Sequence, residues 1–167
     1  MTLFPDDIMA QAQRIVTDFT ARGLMVATAE SCTGGLIAGA LTEISGSSAV
    51  VDRGFVTYTN EAKMEMIGVT RATLIAYGAV SRETALQMAH GALFRSRAAV
   101  SIAVTGVAGP GGGSAGKPVG LVHLVAQSRT GIILHREMRY GDIGRTEIRL
   151  ATVRTALDML IEAAGQA

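Results

Sequence analysis

Leu24-Met25-Val26-Ala27-Thr28-Ala29 runs through Glu30-Ser31-Cys32-Thr33 into Gly34-Gly35-Leu36-Ile37-Ala38-Gly39-Ala40-Leu41-Thr42-Glu43-Ile44. A short apolar run of strand type passes three side-chain nucleophiles and enters a helical pattern. The spacing predicts a strand over 24–29, a turn, and a helix over 34–44. Ser31, Cys32 and Thr33 then sit at a helix N-terminus. Unpaired amides and the helix dipole favour negative charge there, a phosphate or a developing oxyanion. The plain alternative is a Ser/Thr cap followed by small residues that let the helix pack closely. From these residues alone Ser31 and Cys32 compete as nucleophile, because a helix N-terminus also favours a thiolate.

The flanks extend the alternation. Asp6 to Arg22 has apolar residues at helical spacing (Ile8, Ala12, Ile15, Val16, Phe19) and ends at Gly23. Ser45 to Ser48 reads as a loop. Val50 to Thr59 is β-branched and aromatic, with Gly54 a candidate bulge. Asn60, Thr70 and Ser81 are placed to cap helices running to Ile67, Tyr77 and Arg97. Ala98 to Val107 reads as a buried strand, and Val119 to Ser128 with Gly131 to Tyr140 as a hairpin. Asp142 is placed to cap a last helix reaching about Ala164, with a frayed tail beyond. No repeat or linker interrupts the chain, so one domain over 1–167 is expected. Helices mixed with strands, including a hairpin, predict a three-layer α/β/α sandwich around a mixed β-sheet.

Composition narrows the function classes. Among 167 residues 49% are hydrophobic, enough for a sizeable core, and the formal net charge is +1. No basic field argues for nucleic acid, and scarce aromatics with no tryptophan argue against a base-stacking platform. Cys32 is the single cysteine, which excludes an internal disulfide and fits a reducing compartment. The opening MTLFPDD lacks a basic n-region, and no apolar run spans a bilayer. A cytoplasmic protein without membrane or nucleic-acid partners is expected, and nothing opposes a homo-oligomer.

Two motifs are rejected and one lysine is kept. Gly111 to Lys117 fits GxxxxGK, but Pro118 stands where a P-loop needs a hydroxyl, and a strand follows rather than a helix. The missing helix also rejects the GxGxxG reading of Gly111, Gly113 and Gly116. The remaining readings are a surface loop or a strand-end loop whose amides approach a ligand. Lys63 falls at the third helical position if Asn60 is the cap, where the dipole disfavours a cation. It is an ordinary exposed lysine, or one whose lowered pKa suits it to act as a base toward a serine. His90, His123 and His135 are scattered and read as structural. No metal-ligand spacing occurs, so neither metal nor cofactor is expected.

TAESCTGG at Thr28–Gly35, ISGSSAVVDRGFVTYTNEAKMEMIGV at Ile44–Val69, YGAVS at Tyr77–Ser81 and VTGVAGPGGG at Val104–Gly113 together resemble the CinA C-terminal-domain family. The resemblance covers nearly the whole chain. It implies a stand-alone nicotinamide-nucleotide amidohydrolase, an NMN deamidase. Such an enzyme turns nicotinamide mononucleotide into nicotinate mononucleotide and ammonia with a metal-free Ser/Lys pair. It implies Ser31 as nucleophile, Lys63 as base, Ser48 as a relay or alternative nucleophile, and Tyr58 as a further catalytic-site member. Substrate binding is expected from Thr33, Gly34, Thr105, Gly106, Gly109 and Arg145. The alternative is a nucleotide-binding or regulatory module that uses the same pocket without turnover.

Overall fold

The computed structural model describes residues 1–165; Gln166 and Ala167, in the tail expected to fray, lie outside it. Five strands form one mixed sheet in the order β2-β1-β3-β4-β5. Strands β1 (Val26–Glu30), β2 (Val51–Val56) and β3 (Val100–Gly106) are parallel; β4 (Leu121–Ser128) and β5 (Ile133–Arg139) run antiparallel as the expected hairpin. Helices α1 (Asp6–Arg22), α2 (Leu36–Thr42) and α6 (Arg145–Ala164) cover one face. Helices α3 (Asn60–Ile67), α4 (Arg71–Tyr77) and α5 (Arg82–Phe94) cover the other. The expected three-layer sandwich is what forms. Among the described residues no helix is long and apolar enough to cross a membrane.

The two faces differ in side-chain size. On β3 and β4, Val100, Ile102, Val104, Val122 and Leu124 pack against α1, α2 and α6, the alternation that a strand imposes. Ala27, Ala29 and Ala103 face Ala85, Ala89 and Ala92 of α5, and the Ser101 hydroxyl donates to Ala89 O at 2.7 Å. These small residues let α5 lie close on the sheet. Gly91 brings α3 in equally close: a Cβ built there would stand 1.8 Å from Ile67 O.

Connections out of β1 and β2 create the site. The chain leaves β1 through α2 to reach β2 on one side, then returns through α3–α5 to β3 on the other side of β1. The carboxyl ends of the three parallel strands therefore open a crevice at a switch in strand order, where ligands of open α/β sheets bind.

Several local expectations are corrected. Helix α2 starts at Leu36, because Gly34 and Gly35 take positive φ (57° and 104°) ahead of it. Its cap comes from the strand: buried Glu30 accepts from Ile37 N at 2.8 Å and Ala38 N at 3.0 Å, and also from the Thr33 and Thr28 hydroxyls. The irregularity in β2 lies beside Asp52, between Val51 and Arg53, not at Gly54. Thr59, not Asn60, caps α3 by accepting from Ala62 N at 3.0 Å, so Lys63 moves to the fourth helical position. Gly144, not Asp142, precedes α6. A short 3-10 turn (Ser47–Ala49) replaces part of the expected loop. The Thr70 and Ser81 caps form as expected.

Gly91→Ala places a methyl group against a helix carbonyl. We expect a loss of about 1–3 kcal/mol, outweighing the gain in helix propensity, measured by urea unfolding. Glu30→Gln leaves one oxygen for donors that now share two. A loss of about 2–4 kcal/mol is expected by the same measurement, from orphaned amides at the start of α2.

Candidate active site

The crevice holds a cavity of about 300 Å³ whose lining includes Ser31, Cys32, Tyr58, Lys63, Thr105, Gly106, Gly109 and Arg145. That volume lies at the small end for ligand pockets. Ser31 is the first residue after β1. Its amide donates to Val104 O of the neighbouring strand, and its carbonyl accepts from Gly34 N, which closes the turn.

Residues just past β2 bring the lysine to it. Lys63 is 1% exposed and projects from the first turns of α3. Its Nζ lies 3.0 Å from Ser31 Oγ, 2.8 Å from Thr57 O and 3.2 Å from Tyr58 O. No carboxylate among the described residues pairs with it. Burial pushes its ammonium down to about 8, with the neighbouring Cys32 acting in the opposite direction. A neutral amine fits the three partners: two N–H groups for two carbonyls, and a lone pair for the serine O–H.

The thiol is excluded by its surroundings. Cys32 is buried within the apolar core, and burial, with the Glu30 charge adding to it, pushes its pKa up to about 12. A thiol held protonated is inert, so of the two candidates the hydroxyl beside the amine is the chemically able one.

The mouth of the cavity carries the positive charge. Arg145, at the start of α6, donates to Gly109 O at 2.8 Å and to the Tyr58 hydroxyl at 3.2 Å. Thr105 lines the wall, and its hydroxyl donates to Ala79 O at 2.8 Å, holding the loop before α5 against the end of β3. Gly106 and Gly109 line the cavity as expected of a strand-end loop.

Three expected members are not brought to the cavity. The Thr33 side chain is buried, turned toward Glu30, and Gly34 is exposed on the outer side of the turn. Ser48 is exposed in the turn before β2, while the site lies beyond the other end of that strand, about 20 Å away along six residues. His123 and His135 hydrogen-bond to each other at 3.0 Å on β4 and β5, and His90 packs on Phe94. None of the three histidines lines the cavity, and no three metal-ligating side chains converge among the described residues.

Two residues were missed. Glu30 takes the α2 amides, so the helix end expected to face a ligand is occupied internally. Arg149 donates from α6 to Cys32 O and Thr33 O, each at 3.1 Å. The visible clues were a carboxylate closing an apolar strand, and an arginine four residues after Arg145 on one helix face.

Comparison with known proteins places the chain in a family. Residues 9–164 match the family model of the CinA C-terminal domain. The chain is 46% identical over 155 residues to the nicotinamide-nucleotide amidohydrolase PncC of Escherichia coli K12, covering 92% of this chain and 93% of that one. It is 48% identical over 145 residues to the protein of that name from Enterobacter agglomerans, covering 85% and 88%. The crystal structure of the competence/damage inducible protein CihA from Agrobacterium tumefaciens superposes with a TM-score of 0.98 at 75% identity, covering 98% of this chain and 99% of that one. With the family model matched from the first helix to the last and relatives this similar over most of both chains, the chain belongs to the CinA C-terminal domain family.

Proposed function

We propose that the protein hydrolyses the carboxamide of nicotinamide mononucleotide, giving nicotinate mononucleotide and ammonia. The observation that carries this reading is the buried Lys63 amine 3.0 Å from Ser31 Oγ at the floor of the cavity. The activity for which the PncC relatives are named suggests the substrate. In the first half-reaction the serine oxygen attacks the amide carbon as neutral Lys63 takes its proton. The lysine then returns that proton to the leaving nitrogen, the C–N bond breaks, and ammonia departs. In the second half-reaction water attacks the acyl-serine as Lys63 takes its proton; the acyl C–Oγ bond breaks, Lys63 returns the proton to Ser31 Oγ, and the acid product leaves. The relay needs only these two side chains.

The tetrahedral oxygen requires donors that are still available. In the turn, the Ser31, Gly34 and Leu36 amides already donate to protein carbonyls. The Cys32 amide donates to no protein oxygen among the described residues. It follows the nucleophile directly, the position that supplies an oxyanion donor in other serine hydrolases. The phosphate belongs at the mouth, where the Arg145 guanidinium and the Tyr58 hydroxyl stand together.

Incubating the pure protein with nicotinamide mononucleotide and assaying ammonia and the acid product tests the reading; binding without product supports the regulatory module instead. Ser31→Ala lowers kcat on the order of 10⁴-fold or more in a folded protein, and Cys32→Ala keeps most of it. The reverse result transfers the attack to Cys32.

The pH profile tests the base. Lys63 acts only when neutral, and its pKa is lowered to about 8. Below that value kcat/KM falls about tenfold per pH unit, and above it the rate levels. Lys63→Arg keeps the charge but releases no proton at accessible pH, so it is as damaging as Lys63→Met. An active arginine variant, or an ascending limb that persists in Lys63→Met, overturns the assignment.

A further inference from the structure

We infer that Arg149 is a positioning residue for the nucleophile: its guanidinium, planted on α6 behind the Ser31 turn, fixes the carbonyls of the two residues that follow Ser31. The inference rests on the reading of Ser31 as the attacking group.

Ser31 is anchored on its amino side by its own amide, which donates to Val104 O. On the carboxyl side, the Gly34 amide donates back to Ser31 O. Between them lie the Cys32 and Thr33 carbonyls. Thr33 O also receives the Leu36 amide, but Cys32 O has Arg149 Nε as its only donor among the described residues. The orientation of the Cys32–Thr33 peptide thus depends on one side chain contributed from 117 positions along the chain. Two donors of one planar fork fix two successive carbonyls, which a lysine cannot do.

Arg149 is not needed to hold α6 in place. That helix is already anchored by buried Ile148, Thr152, Val153, Ala156 and Leu157. Arg149 forms no ion pair with a carboxylate among the described residues, and it does not line the catalytic cavity. Its contact with the site runs through the turn alone. Behind it lies a second cavity of about 410 Å³, walled by Leu3, Phe4, Leu36, Thr146 and Leu150. Truncating Arg149 opens that space to the turn, which gives a small cation a route to the vacated position.

The test compares wild type, Arg149→Ala and Arg149→Lys for hydrolysis of nicotinamide mononucleotide. Each is measured in guanidinium chloride at tens of millimolar against an equal concentration of sodium chloride, with thermal unfolding recorded for each protein. Arg149→Ala is expected to lose about 10–100-fold in kcat with little change in KM, the effect of a nucleophile misplaced by about an ångström. Guanidinium restores a substantial part of the loss, sodium does not, and Arg149→Lys falls between. A kcat per folded molecule equal to wild type overturns the inference. So does a loss that follows the folded fraction and ignores guanidinium. The rate at which a fluorophosphonate labels Ser31 is measured in parallel. It reports serine placement whatever the substrate, so failure of wild type to release ammonia counts against the proposed function alone. Equal labelling of wild type and Arg149→Ala counts against the role of Arg149. If the alanine variant does not fold, the lysine variant carries the same comparison.

Discussion

A primary amine enclosed by two backbone carbonyls and one serine hydroxyl is the constraint on which the rest of the molecule depends. Withdrawn from water and given no carboxylate, the Lys63 ammonium loses most of its advantage over the neutral amine. The carbonyls come from Thr57 and Tyr58, where the chain leaves β2, and the next residue, Thr59, caps the helix that carries the lysine. Strand end, cap and amine thus lie within seven consecutive residues. Local geometry delivers the base to a fixed point, and the sheet delivers the serine to it from the neighbouring strand.

Charge around the nucleophile is divided between opposite sides of its turn. Glu30 collects donors: two α2 amides and two threonine hydroxyls. Arg149 supplies donors to two turn carbonyls. Neither group lines the cavity, yet together they satisfy the polar atoms that a sharp strand-to-helix turn leaves open. One consequence runs against a first reading of the sequence. The positive end of α2 faces a protein carboxylate, so the cation left at the cavity mouth is Arg145.

The sequence made the layers legible because most signals of this fold are local. Gly23, Thr70 and Ser81 end or begin helices where capping chemistry puts them, and the apolar runs became strands within a few residues. Two of the misplaced boundaries have a visible cause: at α3 two adjacent residues offered similar caps, and at α2 a tertiary group took over the cap. Thr59 and Asn60 are both able caps, and which one accepts depends on how the chain leaves β2. Glu30 does the capping of α2 from outside the helix, which no helical pattern displays. Ser31, Lys63, Tyr58, Thr105, Gly106 and Gly109 were legible through the family's motifs, Arg145 only through its place at the start of the last helix, and all of them line one cavity. Ser48, Thr33 and Gly34 belong to the same motifs but lie away from it. A motif records neighbours along the chain, and a β-strand separates its two ends by its full length.

The glycine-rich segment after β3 shows how composition and mechanism part company. Read as a string, it invites a nucleotide-binding loop. Gly109 within it, and Gly106 at the end of β3, answer to packing instead. A Cβ at Gly106 would meet Val122 and the Leu121 carbonyl within 2.8 Å, and one at Gly109 would meet Val119 at 2.6 Å. The backbone is thereby pressed against β4 and the chain leading into it, and its other side forms the cavity wall. Arg145 then takes the Gly109 carbonyl with one nitrogen and the Tyr58 hydroxyl with another. A fixed loop, a tyrosine from the end of β2 and an arginine from α6 thus meet at one point above the serine. Because Arg145 and Arg149 stand one helical turn apart on α6, the same rigid element that marks the mouth also reaches the turn behind the nucleophile. One helix therefore contacts both the mouth of the cavity and the turn that carries Ser31.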